Sequence, residues 1–345
     1  MDGMDKVFRG EATFFIAEIG INHNGNRDEA LSMVEAAARA GADAVKFQTF
    51  VPEEMYSRYT NSMLRGDVKP VADPEQIDFF SRFVLGEEDY SALKRAAESM
   101  DLVFFSSAFD VRSIEMLERV GIPIYKLASS EVTNTPLLQR VAATGKPVIM
   151  STGISTADEI GLAIDTLRGG GTRDIVLLHC VALYPLPPGK ANLSRISSLR
   201  RRFGLPVGFS DHAPDGKGCA LAAMFGARVF EKHFMPEEGY DCPDAAVSLS
   251  PSEFGRMRRD VETAIEMIGD GHIDYDFSEK EVANSARRSL FSRRSLRAGE
   301  VLDAGAIAAK RPGVGLPVAD MKRVLGRKIR RDIPEDFPLR LEDFE

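Results

Sequence analysis

The 345-residue sequence predicts an α/β protein, a (β/α)8 TIM barrel followed by a small second domain. Three observations carry this. Apolar strand and amphipathic helix alternate eight times between Thr13 and Ile268, and a run of strand–helix units of that length closes into a barrel. The strand segments are nearly continuous in apolar residues, as a parallel sheet covered on both faces requires. No G-x-G-x-x-G follows the first strand, which argues against a doubly wound open sheet.

The first strand reads Thr13 to Ile19, with a helix from Arg27 to Ala40 stopped at Gly41. Asp43 to Gln48 is the second strand; a long connection, Val51 to Pro74, precedes helical sequence through Met100. Leu102 to Ser106 is the third strand, with a helix over Val111 to Val120, and Ile122 to Leu127 the fourth, with a helix over Pro136 to Thr144. Lys146 to Ser151 and Asp174 to Cys180 are the fifth and sixth, followed by helices over Thr156 to Arg168 and up to Phe203. Pro206 to Phe209 and Ala227 to Phe230 complete the set. Gly269 to Asp276 is polar and glycine-bearing, a linker. Beyond Ala286 the chain turns to short strands, glycine turns and prolines. The expected division is 1–270 for the barrel, 271–285 for the linker and 286–345 for the small domain.

Composition narrows the function classes. A net charge of −8 argues against nucleic acid or an anionic membrane as the main partner. Cys180, Cys219 and Cys242 are odd in number and lack metal-type spacing, so they read as reduced thiols of a cytoplasmic protein. Met1 to Lys6 lacks a signal-peptide pattern, and no run approaches a membrane span.

In a barrel of this kind the active site lies at the C-terminal ends of the strands. Those ends carry Glu18, Lys46 and Gln48, Ser106 and Ser107, Lys126 with Ser129, Ser130 and Glu131, Ser151 and Thr152, His179 and Tyr184. The last two strands run out into Ser210-Asp211-His212 and Glu231-Lys232-His233. Of five histidines in the chain, His212 and His233 thus fall at matching strand ends beside carboxylates, the pattern of a metal or acid–base site. Lys46 and Lys126 interrupt apolar strands, where an ammonium costs desolvation unless an anion neutralises it. They read as an anion clamp with Ser107, Ser129, Ser151 and Ser210, as a Schiff-base lysine, or as lysines that snorkel or pair with a glutamate. Glu18 is either such a partner or an acid–base group near a metal. Glu131 and Asp244, in loops, are placed to hydrogen-bond a polyol. Asp211 either steadies a ligand or caps the turn that follows.

As they stand, several segments resemble the sialic acid synthase family: Ala17-Glu18-Ile19-Gly20-Ile21-Asn22-His23-Asn24-Gly25, Val45-Lys46-Phe47-Gln48-Thr49, Tyr125-Lys126-Leu127-Ala128-Ser129-Ser130-Glu131, Ser151-Thr152-Gly153, His179-Cys180 with Tyr184-Pro185, Phe209-Ser210-Asp211-His212 and Glu231-Lys232-His233-Phe234. The small domain resembles that family's antifreeze-like (SAF, β-clip type) domain through Arg288-Ser289-Leu290, Lys310-Arg311-Pro312-Gly313-Val314-Gly315 and Arg331-Asp332-Ile333-Pro334-Glu335-Asp336. The resemblance implies a transferase that condenses phosphoenolpyruvate with an N-acyl mannosamine-type sugar, giving a nine-carbon 3-deoxy-2-keto acid and phosphate. It implies a divalent metal, Mn2+ or Mg2+, on His212 and His233. Lys46, Ser107, Lys126, Ser129, Ser151 and Ser210 would hold phosphoenolpyruvate, with Gln48 among the substrate-binding residues. Glu131, Tyr184 and Asp244 would face the sugar, and Glu18 would lie near the reacting centre. It further implies a domain-swapped homodimer in which Arg311 of one chain reaches the N-acyl group in the other chain's site.

One position departs from the pattern. Sialic-acid-forming members carry Asn in the His-Cys-x-Asn-x-Tyr segment, where this chain has Ala182. That opens the choice between N-acetylmannosamine and a 2,4-diacetamido trideoxyhexose, and with it a legionaminic, pseudaminic or spore-coat-type product. Two other classes stand beside this reading: a metal-free Schiff-base aldolase using Lys126, and a non-catalytic carbohydrate- or ice-binding protein.

Overall fold

The computed structural model describes residues 2–66 and 72–345. It divides into two compact units, Met1–Gly269 and Asp270–Glu345. In the first, eight parallel strands pair in sequence order and close into a barrel, β1 bonding to both β2 and β8. The strands are β1 (Phe14–Gly20), β2 (Ala44–Thr49), β3 (Val103–Ala108), β4 (Tyr125–Leu127), β5 (Val148–Ser151), β6 (Ile175–Cys180), β7 (Val207–Asp211) and β8 (Val229–His233). The helices around them are α2 (Arg27–Arg39), α6 (Glu87–Glu98), α7 (Val111–Val120), α8 (Thr135–Ala142), α9 (Ala157–Gly169), α10 (Ser194–Phe203), α11 (Lys217–Met224) and α12 (Pro251–Ile268). Between β2 and α6 the chain forms three short helices, α3 (Pro52–Met55), α4 (Thr60–Leu64) and α5 (Glu75–Ser81). Part of the long connection read from Val51 to Pro74 is therefore helical, and residues 67–71 of it lie outside the described residues.

Strand periodicity of two sorts every strand into two jobs. Outward residues such as Phe15, Ala17, Val45, Phe47, Leu177 and Phe209 join the helices in one large apolar core. Inward residues build layers. The lowest is apolar: Phe14, Ile16, Ala44, Phe105, Ile124, Ile149, Val176, Leu178 and Val229 fill the barrel. A helix not expected from the sequence, α1 (Asp2–Phe8), adds Val7 and Phe8 to this layer. Gly208 occupies the one inward position of β7 at this height. A Cβ there would stand 2.1 Å from the Val229 carbonyl oxygen and 2.6 Å from Leu178 Cδ2, so only glycine fits. The next inward step along the strands is polar, and it forms the floor of the site.

Two strand ends differ from expectation. β7 and β8 do not stop at Phe209 and Phe230 but run on to Asp211 and His233, with Ser210 opposite Glu231 and Asp211 opposite Lys232. Polarity there resembles a loop in sequence, yet barrel strands keep pairing while their inward side chains meet the cavity. β4 is shorter than read, beginning at Tyr125, because Ile122 to Ile124 precede its ladder.

In the second unit, β9 (Ser289–Ser292) pairs antiparallel with β10 (Ile307–Lys310). Leu290, Leu296, Leu302, Ile307, Leu316, Val324, Ile329, Ile333, Leu339 and Phe344 make its core. The stretch read as linker carries a helix, α13 (Lys280–Ala286), and α14 (Met321–Val324) lies within the small core. Among the described residues no helix is long and apolar enough to cross a membrane.

Candidate active site

The upper inward residues converge on a cavity of about 260 Å³ at the C-terminal ends of the strands. Its floor is a group of four charges. Lys46 Nζ lies 2.9 Å from Glu18 Oε2 and 3.7 Å from Glu231 Oε2, and it donates to Ser107 Oγ at 3.1 Å. Lys126 Nζ donates to Ser151 Oγ at 2.7 Å and to the Leu127 carbonyl at 3.2 Å, and stands 3.8 Å from Glu231 Oε1. Ser210 donates to Glu231 Oε1 at 3.0 Å, and Gln48 Nε2 to Glu18 Oε1 at 2.9 Å.

All four charged groups are buried, and their proton affinities move apart. Burial lifts the Glu18 carboxyl more than Lys46 lowers it, so Glu18 sits above the ordinary range. Burial acts the same way on Glu231, but there Lys126 and Lys46 prevail and hold the carboxyl at about 2. Lys46 is likewise opposed by burial, yet Glu18 and Glu231 outweigh it and raise its pKa. For Lys126 burial wins over the pull of Glu231, with Lys46 repelling it, and its pKa falls. Although close to Lys46, Glu18 Oε2 and Glu231 Oε2 have no hydrogen bond of acceptable geometry. Buried acceptors left in this way are rare. Both border a cavity with room for a ligand.

The opposite wall is imidazole. His212 Nδ1 lies 2.9 Å from the Val181 carbonyl, which only accepts, so the proton is on Nδ1 and the lone pair on Nε2. Tyr184 donates its hydroxyl to that Nε2 at 2.9 Å and stacks on the ring at 4.0 Å between centroids. Burial drops the His212 pKa to about 3, and the nearby His233 adds to the fall. His233 follows at 5.5 Å between ring centroids. Its Nδ1 is 3.3 Å from Asp244 Oδ2, an ion-pair distance without hydrogen-bond geometry. Burial disfavours the imidazolium, but Asp244 more than offsets it and raises the His233 pKa. Among the described residues no group of three or more His, Cys, Asp and Glu is arranged to hold a metal. A neutral His212, whose Nε2 lone pair is taken up by the Tyr184 hydroxyl alone, and a second imidazole beside it would suit an ion that displaces that hydroxyl and takes its remaining ligands from substrate and water. That is an open site rather than a closed structural one.

Of the residues expected from sequence, Glu18, Lys46, Gln48, Ser107, Lys126, Ser129, Ser151, Tyr184, Ser210, His212 and His233 line this one cavity. Glu131 does not; its carboxylate accepts from Ser130 Oγ at 2.9 Å and Asn134 Nδ2 at 2.7 Å. Asp244 touches the site through His233. Arg311 is exposed in the second unit, directly after β10. His179 points away from the cavity: it stacks on Phe209 and contacts the Ala191 carbonyl at 2.7 Å. Asp211 also faces outward, taking the Ala213 N–H at 2.9 Å and pairing with Lys232 at 3.5 Å, so it caps the turn. Glu231 is legible in sequence as a strand-end residue but not as a member of the charged floor. Its place two residues before His233, on the same face of a strand, is the available signal.

The chain is similar to known proteins over both units. The NeuB family model matches residues 33–273 and the SAF domain model residues 287–345. An N,N'-diacetyllegionaminic acid synthase of Campylobacter jejuni is 33% identical over 95% of this chain and 99% of its own. A pseudaminic acid synthase from another strain of that species is 32% identical over 96% of each chain. The crystal structure of an N-acetylneuraminic acid (sialic acid) synthetase from Leptospira borgpetersenii, in complex with citrate, covers 79% of this chain and 90% of that one, at 31% identity and a TM-score of 0.72. With a barrel, a charged cavity and these relatives in register along nearly the whole sequence, the chain belongs to the NeuB family.

Proposed function

We propose that this protein condenses phosphoenolpyruvate with an N-acyl amino sugar of the mannosamine type to give a nonulosonic acid and inorganic phosphate. The observation that carries the reading is the two-sided cavity, with two buried ammoniums and three hydroxyls on its floor and two imidazoles on its wall. Lys46 and Lys126, with Ser107, Ser151 and Ser210, present donors suited to the carboxylate and phosphate of phosphoenolpyruvate. Ser129 and Gln48 border the same space. A divalent ion, Mn2+ or Mg2+, held by His212 and His233 would polarise the acceptor's aldehyde oxygen as a Lewis acid.

C3 of phosphoenolpyruvate then attacks the aldehyde carbon, forming the new C–C bond while the aldehyde oxygen takes up a proton. Glu18, whose carboxyl is held above its usual range, is the acid suited to supply it. Positive charge at C2 is met by water; the C2–O bond to phosphorus then breaks, leaving the keto acid and phosphate. Glu231, kept ionised by both lysines, faces the same centre and suits the developing charge. Burial of all four charged groups holds the reactants in one geometry with little bulk water.

Ala182, Phe109 and Ile154 put apolar surface on the same cavity. That favours a 2,4-diacetamido trideoxyhexose, with its acetamido and deoxy groups, and the relatives named for legionaminic and pseudaminic acid support this choice. Tyr184 and Asp244 lie on the imidazole side, where the sugar would bind, and Glu131 and the SAF-domain Arg311 would complete its contacts in a swapped homodimer. Three buried free cysteines suit a cytoplasmic setting.

Phosphate release from phosphoenolpyruvate, measured with a panel of amino sugars with and without chelator, is the test. Turnover should require both the sugar and the metal, and oxygen-18 from water should enter the keto acid. Label in the phosphate, or no turnover on any hexosamine with metal present, would sink the proposal. Trapping with borohydride and pyruvate would instead favour an aldolase at Lys126.

A further inference from the structure

A second cavity, of about 310 Å³, opens at the N-terminal end of the barrel. Arg9, Arg200 and Arg228 line it together with Gly10, Gly204, Gly226 and the segment leading into β7. α10 ends at Gly204 and α11 just before Gly226, with φ of 64° and 95°, a conformation glycine adopts without strain. A Cβ on Gly226 would stand 3.1 Å from Arg200 Nη1, so the guanidinium lies close against the bare backbone there.

The charges in this pocket are not cancelled. Among the described residues neither Arg200 nor Arg228 forms an ion pair with a carboxylate. Arg9 has only Glu11 at 3.7 Å, both groups being largely in water. Arg228 Nη1 donates to the Ala223 and Ala227 carbonyls, which engages one nitrogen of the guanidinium and leaves its charge. Burial, with the repulsion of Arg200, lowers its pKa, although the chain as a whole carries a net charge of −8. The nearby helix ends contribute about half a negative charge each, less than three guanidiniums supply. Arg228 is half-buried, with the exposed Arg9 and Arg200 beside it, and an anion would neutralise the three together.

We propose that this pocket binds the phosphate group of a small metabolite, at a site separate from the catalytic cavity. Guanidinium forks match phosphate oxygens in two-point contacts, and several together suit a multiply charged group. The cavity admits such a group and a modest organic part, and the chain's negative balance disfavours a nucleic acid. Its position gives binding a mechanical route to the active site. Arg228 directly precedes β8 and Pro206 directly precedes β7, the two strands whose far ends carry Ser210, His212, Glu231 and His233.

The test is calorimetric titration of the full chain with pyrophosphate and with ATP, at low ionic strength and without divalent ions. Lys126→Met serves as background, to weaken anion binding in the catalytic cavity. It should still bind one equivalent, and adding Arg200→Gln should weaken that binding by about tenfold. Arg200→Lys, which keeps the charge but not the two-point fork, should recover part of the loss and so exclude a folding defect. ATP binding more tightly than pyrophosphate would show that the organic part is also read; equal affinities would show that phosphate alone is read. Either result supports the site. No binding to Lys126→Met, or the same affinity with and without Arg200→Gln, would overturn it.

Discussion

β7 and β8 carry two buried ion groups on opposite faces, one residue apart in sequence. Outside the barrel, Lys232 is fully buried against Asp211 at 3.5 Å, with its ammonium also on the carbonyls of Asp211 and Ala213. Asp211 is taken up in turn by the Ala213 N–H and lies 3.8 Å from Cys219 Sγ. Inside the barrel, Glu231 stands 3.7 and 3.8 Å from its two lysines and keeps one oxygen without a hydrogen bond. The outer pair is closed on itself. The inner group is loose, borders a cavity and has hydrogen-bonding capacity to spare. Similar burial thus serves structure on one face and chemistry on the other, and the difference lies in whether the polar atoms are already satisfied.

Breaking the inner group should cost activity most. Lys126→Met or Glu231→Gln should lower kcat/KM for phosphoenolpyruvate by about 10²–10³, with a melting temperature close to that of the parent. A collapse in stability instead would make the inner group structural. The outer pair should behave in the opposite sense. Lys232→Met strands a buried carboxylate and should destabilise the fold by about 3–5 kcal/mol in urea denaturation, while KM for phosphoenolpyruvate holds. Asp211→Asn combined with Lys232→Met should lose less stability than the two single changes summed, because no unpaired charge is left.

A smaller effect is expected on the imidazole wall. Tyr184→Phe removes the donor to His212 Nε2, so Mn2+, competing with one hydrogen bond fewer, should bind about 2–10-fold more tightly in a direct titration. Smallest of all, Ala182→Asn should shift the relative kcat/KM of diacetamido and monoacetamido acceptors by about tenfold or less, without changing the melting temperature.

The barrel is legible because eight near-continuous apolar strands alternating with amphipathic helices leave little choice of architecture, and the strand ends draw most of the site together. What was hidden depended on which face a residue takes. Glu231, Lys232 and His233 read alike as a polar run, yet pairing to Asp211 sends Lys232 to the helices and leaves its neighbours to the cavity. His179 had the same credentials as His212 by position along its strand, but it falls on an outward step and stacks on Phe209. Asp211 was readable only as an alternative, because capping a turn depends on the Ala213 backbone. α1 has no signal of its own in the sequence because its seven residues are held through Val7 and Phe8 under the barrel, a tertiary contact with no local signature.

The apolar layer around Gly208 has a consequence for traffic through the molecule. Nine inward side chains, with Leu178 and the Val229 carbonyl closing over the missing Cβ, make a stopper across the barrel's waist. Any ligand of the catalytic cavity therefore enters and leaves it at the C-terminal ends of the strands. Nothing diffuses between that cavity and the arginine pocket underneath.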